Sequence, residues 1–403
     1  MTATSGSSGK NDAVEASGAT DQSDAQPASA SASDQALTAR LRDRLVTLCK
    51  VASPTRNERQ IADLLTAEFK ALGATVTEDD AGAAVSGNAG NLIAELAGEL
   101  PGRIVLTAHM DTVPLTPGQP LEPVVEGSIV RASGKQILGA DDKAGVTIVL
   151  ELMQRAAALP ASKRPSLIAV ITVCEELGLK GARHLDVAAL DADYAYSFDG
   201  EVPVGELITS AVFKEDLTIH VTGRAAHAAL EPERGVHAIL AAARVVDSFP
   251  MGRVATDQVA NIGFVQGGGP TNVVTAEVTL RGEARAFSEE RLAELLATIS
   301  TRAETAAATL GATVRVESER LYDGYRIEDD ATPVARLNAA AEPLALHVTS
   351  VASIGGSDTS ILNQKGLPTV NVGVGMNDIH SVNEWIDASG LARVVKWVGA
   401  ALF

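Results

Sequence analysis

Cysteine is almost absent from the 403-residue chain. Only Cys49 and Cys174 occur, in segments patterned as a helix and a buried strand, which excludes a disulfide framework and fits a reducing compartment. Basic charge is also short, with 33 Lys+Arg against 51 Asp+Glu and a formal charge of -18. Such a balance repels phosphate backbones and anionic headgroups, so neither nucleic acid nor a membrane surface is expected as a partner. No stretch is apolar enough to span a bilayer, and the N-terminus MTATSGSSGKNDAVEASGATDQSDAQPASASASD has no apolar core of the signal-peptide kind. The expected location is the cytoplasm, where acidity keeps a protein soluble without naming a partner.

What is present suits two units. Residues 1–35 are Ser, Ala, Gly, Asp and Thr with little to bury, and are expected to be a disordered tail. Order begins near Asp34, a possible helix cap, with Leu37, Leu41, Leu45 and Leu48 at helical spacing, and ERQIADLLTAEFKALG follows as a second helix. Apolar β-type runs then alternate with helices: NLIAEL, RIVLTAH, the helix in DDKAGVTIVLELMQRAAA, SLIAVITVC and YAYSF. That alternation predicts an α/β fold, a sheet flanked by helices. From about residue 209 the order becomes β-α-β-β-α-β, a ferredoxin-like arrangement. After about residue 324 come a helix, the loop IGGSDTS, the strand LPTVNVGVG and a last helix around LARVVKWVGAALF. The expected organisation is a catalytic domain in two parts, 36–208 and 325–403, interrupted by an inserted smaller domain over 209–324.

Individually the acidic and histidine residues would read as surface groups or caps, but their positions coincide with strand ends. His109 and Asp111 follow RIVLTA, Glu175 and Glu176 follow SLIAVITVC, Asp199 follows YAYSF, and His380 lies past LPTVNVGVG. In an open α/β sheet the crevice beyond the carboxyl ends of the strands is where ligands bind, so these residues can converge. Asp141 and Asp142 stand before a helical run, where capping is the simpler role and is the one assigned to Asp142. Two histidines and several carboxylates gathered in one crevice would repel unless cations were present, which favours Asp141 as a ligand. Mixed imidazole and carboxylate ligation suits zinc, with manganese or cobalt as substitutes. Cys174 reads as a small buried residue, and His184, His220, His237 and His347 as structural or exposed.

The motifs HMDTV, GADDKAG, CEELGLKGA, SFDG, and GGSD followed by GMNDIHS resemble those of the metallopeptidase family that contains peptidase T and related di-zinc aminoacylases and carboxypeptidases. The resemblance covers nearly everything after the tail. It implies a zinc-aminopeptidase-like catalytic domain with a mixed sheet and an inserted ferredoxin-like lid through which the chain forms a homodimer. It further implies two zinc ions, with His109 and Asp199 on one, Glu176 and His380 on the other, and Asp141 bridging. Asp111 would orient His109. Glu175, left without a metal, would be the general base: it takes a proton from a metal-bridging water, the resulting hydroxide attacks an amide carbonyl, and the proton passes to the leaving amine.

The same resemblance makes His227, in VTGRAAHAA, a donor to the developing oxyanion supplied from a neighbouring subunit. Asn272 and Arg285 fall where the family contacts substrate, and Arg suits a terminal carboxylate. Asn272 could equally hold a turn and Arg285 be a solvated strand-end charge. Gly355, Gly356, Ser357 and Asp358 would line the cleft, although the glycines could equally serve turn geometry alone. The closeness of GADDKAG and DIHS to peptidase T favours a tripeptidase or aminopeptidase acting on short peptides. An N-acyl amino-acid hydrolase or carboxypeptidase of the same family, and an inactive binding homologue, stay open.

Overall fold

The computed structural model describes residues 31–403, so residues 1–30 of the expected tail lie outside the described residues. The first helix, Ala32–Cys49, starts earlier than the sequence suggested. Its cap is Ser31, whose hydroxyl accepts the Asp34 amide at 3.2 Å, so residues 32–35 are helical. Leu37, Leu41, Leu45 and Leu48 are buried along one stripe. With the helices Ala140–Ala157 and Ala388–Leu402, this helix packs over one face of a nine-stranded sheet.

The sheet order is Thr75–Glu78, Leu92–Leu96, Pro165–Thr172, Leu100–His109, Tyr194–Gly200, Thr369–Gly373, Glu206–Ala211 and Tyr325–Arg326, with Thr349–Ser353 also pairing with Glu206–Ala211. The four strands from Pro165–Thr172 to Thr369–Gly373 run parallel, whereas their outer neighbours Leu92–Leu96 and Glu206–Ala211 are antiparallel to them. Every residue of Pro165–Thr172 and Thr369–Gly373 is buried, as expected where helices cover both faces of a parallel sheet. On the second face Leu185, Leu190, Leu362 and Leu367 pack against Val105, Ile168, Val170 and Ala195. Because neighbouring parallel strands finish on the same edge, the chain segments after His109, Thr172, Asp199 and Gly373 emerge side by side.

The inserted unit is a five-stranded antiparallel sheet in the order Gly252–Ala255, Gln258–Gly267, Glu277–Ala286, Phe213–Thr222 and Thr313–Tyr322. Without the short edge strand Gly252–Ala255, the order is the ferredoxin-like one. The helices Ala238–Ser248 and Glu289–Ala308 join Leu217, Ile219, Val221 and Leu280 in a core of their own. In the longer helix Leu292, Leu295, Ile299 and Ala303 recur at helical spacing, and Ser288 Oγ accepts the Arg291 amide at 3.2 Å. A cut at residue 208 would fall inside the strand Glu206–Ala211, which pairs with Thr369–Gly373 and Tyr325–Arg326 in the larger sheet. The strands of the smaller sheet therefore run from Phe213 to Tyr322. A third sheet, Val124–Glu126, Ile129–Arg131 and Trp385–Asp387, lies beside the helices Ala32–Cys49 and Ala388–Leu402. Among the described residues no helix is long and apolar enough to cross a membrane.

Candidate metal centre

His109 closes its strand with its ring buried. Nδ1 lies 3.0 Å from the Asp111 carbonyl oxygen, and a carbonyl only accepts, so in the neutral ring the proton belongs on Nδ1. The Nε2 lone pair then faces Asp141 Oδ1 at 3.1 Å and Asp199 Oδ1 at 3.8 Å. On the other side, His380 Nε2 stands 3.0 Å from Asp141 Oδ2 and 3.1 Å from Glu176 Oε1. One ring nitrogen carries at most one proton, so it cannot satisfy both oxygens. The Asp141 carboxylate thus turns one oxygen to each histidine, from a backbone stretch that is not helical at Asp141 and Asp142 although it opens the helix Ala140–Ala157.

The electrostatics express the same crowding. Burial alone would raise the Asp141 carboxyl, but the two imidazoles hold it well below the usual carboxylate range. Burial would strip the proton from His109, yet Asp111 and Asp141, helped by Glu175 and Asp199, raise its proton affinity well above the ordinary value. The carboxylates of Asp141 and Glu176 beside its ring push His380 up to about 10. Burial, reinforced by Asp142, raises Asp199 well above its normal range. Excess carboxylate facing imidazole lone pairs is the environment divalent cations neutralise. The groups His109, Asp141, Glu176 and His109, Asp142, Asp199 each bring ligand atoms within 4.8 Å of one another. Asp142 is already committed, because its two oxygens accept the amides of His109 at 3.2 Å and Gly145 at 2.9 Å. Accepting the Gly145 amide from near the helix start is a capping contact.

Asp111 lies behind this group, fully buried. It accepts the Thr55 hydroxyl at 2.8 Å and the amides of Glu175 and Glu176 at 3.0 and 3.3 Å, and stands 3.4 Å from His109 Nδ1. One carboxylate therefore fixes both the histidine and the turn carrying the two glutamates. Cys174 is not on a strand: the strand stops at Thr172, and Cys174 is a buried turn residue at φ 54°. Its amide donates to Glu58 Oε1 at 3.3 Å, and the Arg56 amide donates to the same oxygen at 2.8 Å. Burial pushes the Glu58 carboxyl up to about 7. Glu175 projects into the cleft, and burial raises its carboxyl well above the usual range, with Asp358, Glu176 and Asp111 adding to the effect against His109.

The cleft has a volume of about 340 Å³, and His109, Asp141, Glu175, Glu176, Asp199 and His380 line it. Arg285, Gly355, Gly356 and Ser357 line it as well. Arg285 is paired with Glu283 at 2.9 Å and donates to the Ile354 carbonyl at 2.9 Å, so it is a fixed cation rather than a solvated strand end. Lys214, another lining residue, shares Glu283 at 2.9 Å. A Cβ on Gly356 would meet the Tyr322 ring at 2.1 Å, so this position has no room for a side chain. Ser357 precedes the helix Asp358–Gln364, which the loop IGGSDTS had concealed. Neither His227 nor Asn272 lines the cleft of its own chain. Both are exposed, joined by the Ala228 amide donating to the Asn272 carbonyl at 2.9 Å. The ring Nδ1 of His227 accepts the amides of Ala229 and Leu230 at 3.2 Å, which leaves Nε2 as the donor.

Sequence reasoning missed Thr55, Glu58, Asn371 and Glu384, and it set Asp358 on the cleft wall, whereas Asp358 is buried and does not line the cleft. Asn371 Oδ1 accepts the Asp199 amide at 3.1 Å and so holds that strand end. Asp358 accepts the Thr172 hydroxyl at 2.5 Å beneath Glu175, and burial pushes it up to about 6. Asn371 and Thr172 did carry a signal, being polar residues inside otherwise apolar buried strands.

Residues 105–403 match the model of peptidase family M20/M25/M40. The chain belongs to this family. Among solved structures it is similar to a tripeptidase from Staphylococcus aureus, at 35% identity and a TM-score of 0.83, over 91% of this chain and 97% of that one. It is likewise similar to the aminopeptidase PepT of Bacillus cereus, at 35% identity and a TM-score of 0.80, over 91% and 98%. Peptidase T of Lysinibacillus sphaericus is 26% identical over 279 residues, 68% of each chain. The α/β fold with its mixed sheet is that of these M20 structures, and the chain is a hydrolase of this metallopeptidase family.

Proposed function

We propose that this M20-family chain is a cytoplasmic, metal-dependent aminopeptidase that removes the first residue from short peptides, tripeptides above all. The observation that carries the reading is the Asp141 carboxylate, with one oxygen on His109 and the other on His380. Asp199 and Glu176 complete the two groups, so His109 with Asp199 and His380 with Glu176 would hold one divalent cation each, and Asp141 would serve both. Zinc suits these nitrogen and oxygen donors, with cobalt or manganese as substitutes. Bound there, two such ions supply Lewis acidity, polarising the scissile carbonyl and making water nucleophilic near neutral pH.

The chain's own groups do the rest. Glu175 lines the cleft, and among the described residues no hydrogen bond engages its carboxylate oxygens, so it is free to take a proton from the attacking water. Once protonated, it can hand that proton to the leaving amine. Asp111 sets the His109 ring and the Glu175 turn, acting through its neighbours rather than on substrate. Arg285, held by Glu283 and the Ile354 carbonyl, would offer its positive charge to a substrate carboxylate, and Gly355, Gly356 and Ser357 present backbone along the cleft wall. His227, whose Nε2 is set as a donor outside its own cleft, would serve the oxyanion of a partner's site in a homodimer formed through the smaller domain, with Asn272 beside it.

Similarity to a tripeptidase and to PepT favours short peptides with a free N-terminus. The test is a panel of dipeptides, tripeptides, N-blocked tripeptides and N-acyl amino acids incubated with zinc-loaded protein, with products read by mass spectrometry. Release of the first residue from unblocked tripeptides is expected. Preferential cleavage of acyl substrates would replace this reading with that of an N-acyl amino-acid hydrolase, and release of the last residue with that of a carboxypeptidase.

A further inference from the structure

Glu384, four residues beyond His380, is 1% exposed. Its Oε2 accepts the amides of Leu138 at 2.9 Å and Gly139 at 2.8 Å, and its Oε1 accepts the amide of Asp141 itself at 3.1 Å. The turn held in this way has Gly139 at φ 71° and non-helical dihedrals at Asp141 and Asp142, so regular helix bonding does not set its shape. Buried carboxylate-to-amide bonds are charge-assisted and directional, which suits them to that task.

The segment carrying Glu384 is anchored independently. The Ala132 amide donates to the Glu384 carbonyl at 2.8 Å, and Trp385–Asp387 pairs with Ile129–Arg131. Asn377 and Trp385 exchange backbone hydrogen bonds at 3.0 and 3.1 Å, closing the loop on which His380 sits. One short stretch thus presents His380 and also grips the turn that presents Asp141, 243 residues away in sequence.

We propose that Glu384 is a positioning residue for both metal sites, clamping the Leu138–Asp141 turn so that Asp141 is shared between His109 and His380. The inference rests on the reading of Asp141 as the shared ligand. Glu384 does not line the cleft, and its effect passes through the Asp141 backbone.

The test measures zinc binding, without substrate, by competition with a chromophoric chelator. It compares wild type, Glu384→Gln, Glu384→Asp, Asp141→Asn and His380→Ala, with thermal melting of each metal-free protein alongside. Glutamine sets an NH2 donor against amide donors, whereas aspartate keeps the charge and loses reach. Glu384→Gln should weaken both zinc ions together, by about 10- to 100-fold each. His380→Ala should weaken one ion far more than the other. Glu384→Asp should show a smaller but still paired loss, and it decides the matter should the Gln variant fail to fold. A purely structural role would lower the melting temperature and leave zinc binding at wild-type strength. Unchanged constants in a folded Glu384 variant, or a loss confined to one ion, would overturn the proposal. Should Asp141→Asn keep both ions at wild-type affinity, the shared-ligand reading itself falls, a result separate from failure of Glu384 alone.

Discussion

Glu175 and Glu58 are both buried carboxyls with raised proton affinity, yet they differ in what surrounds them. Glu175 opens into the cleft beside the candidate ligands, whereas Glu58 accepts two backbone amides behind the turn. Glu175→Gln keeps the shape and removes the base. It should therefore retain its metal while kcat falls by roughly 10²- to 10⁴-fold, measured as turnover per metal-loaded site. Loss of metal with normal turnover in the loaded fraction would make Glu175 a ligand instead. For Glu58 the folded carboxyl titrates near 7, against an unfolded value of 4.5. Between those values the folded state holds the proton and the unfolded state does not, so this group's contribution to stability falls as pH rises from about 4.5 to 7. Glu58→Gln imitates the protonated acid at every pH. The melting temperature of that variant relative to wild type should accordingly rise between pH 5 and pH 8, and a constant difference would contradict the assignment.

The elements that deliver the site were legible in the sequence to differing degrees. SLIAVITVC and LPTVNVGVG are continuous apolar runs, the mark of strands buried on both faces, and a charged residue after such a run announces a functional strand end. His109, Glu175, Glu176, Asp199 and His380 were found in that way, and the structure brings them to one cleft with Asp141. Local pattern could not reveal a carboxylate whose partners are remote. Glu384 reads as an ordinary polar residue before WID until the fold brings Leu138 to it. Cys174 looked like a strand residue because burial alone leaves the same apolar signature as a left-handed turn position. The strand Glu206–Ala211 was hidden because it joins the larger sheet immediately before the chain enters the smaller one. The loop IGGSDTS offers a test at this scale. Gly356→Ala would drive a methyl into the Tyr322 ring, so a loss of about 1–3 kcal/mol in urea or thermal denaturation is expected. Wild-type stability would show that the ring moves aside freely.

The whole molecule divides its labour between two sheets. The larger carries the candidate ligands and base at the ends of parallel strands, and the smaller contributes Lys214 and Arg285 to the cleft wall while holding His227 away from it. If His227 completes a partner's site, His227→Ala should lower kcat by about 10²- to 10³-fold with metal content intact. Mixing that variant with Glu175→Gln should then restore activity above either alone, since some hybrid dimers would hold one complete site. No recovery after subunit exchange would confine the chemistry to one chain. The central claim, that paired cations around Asp141 drive peptide cleavage, is tested most directly by stripping the protein with a chelator and titrating zinc back while following hydrolysis of an unblocked tripeptide. Activity should vanish on stripping and return with up to two equivalents of zinc per chain, whereas undiminished hydrolysis by protein verified to hold no metal would contradict the account.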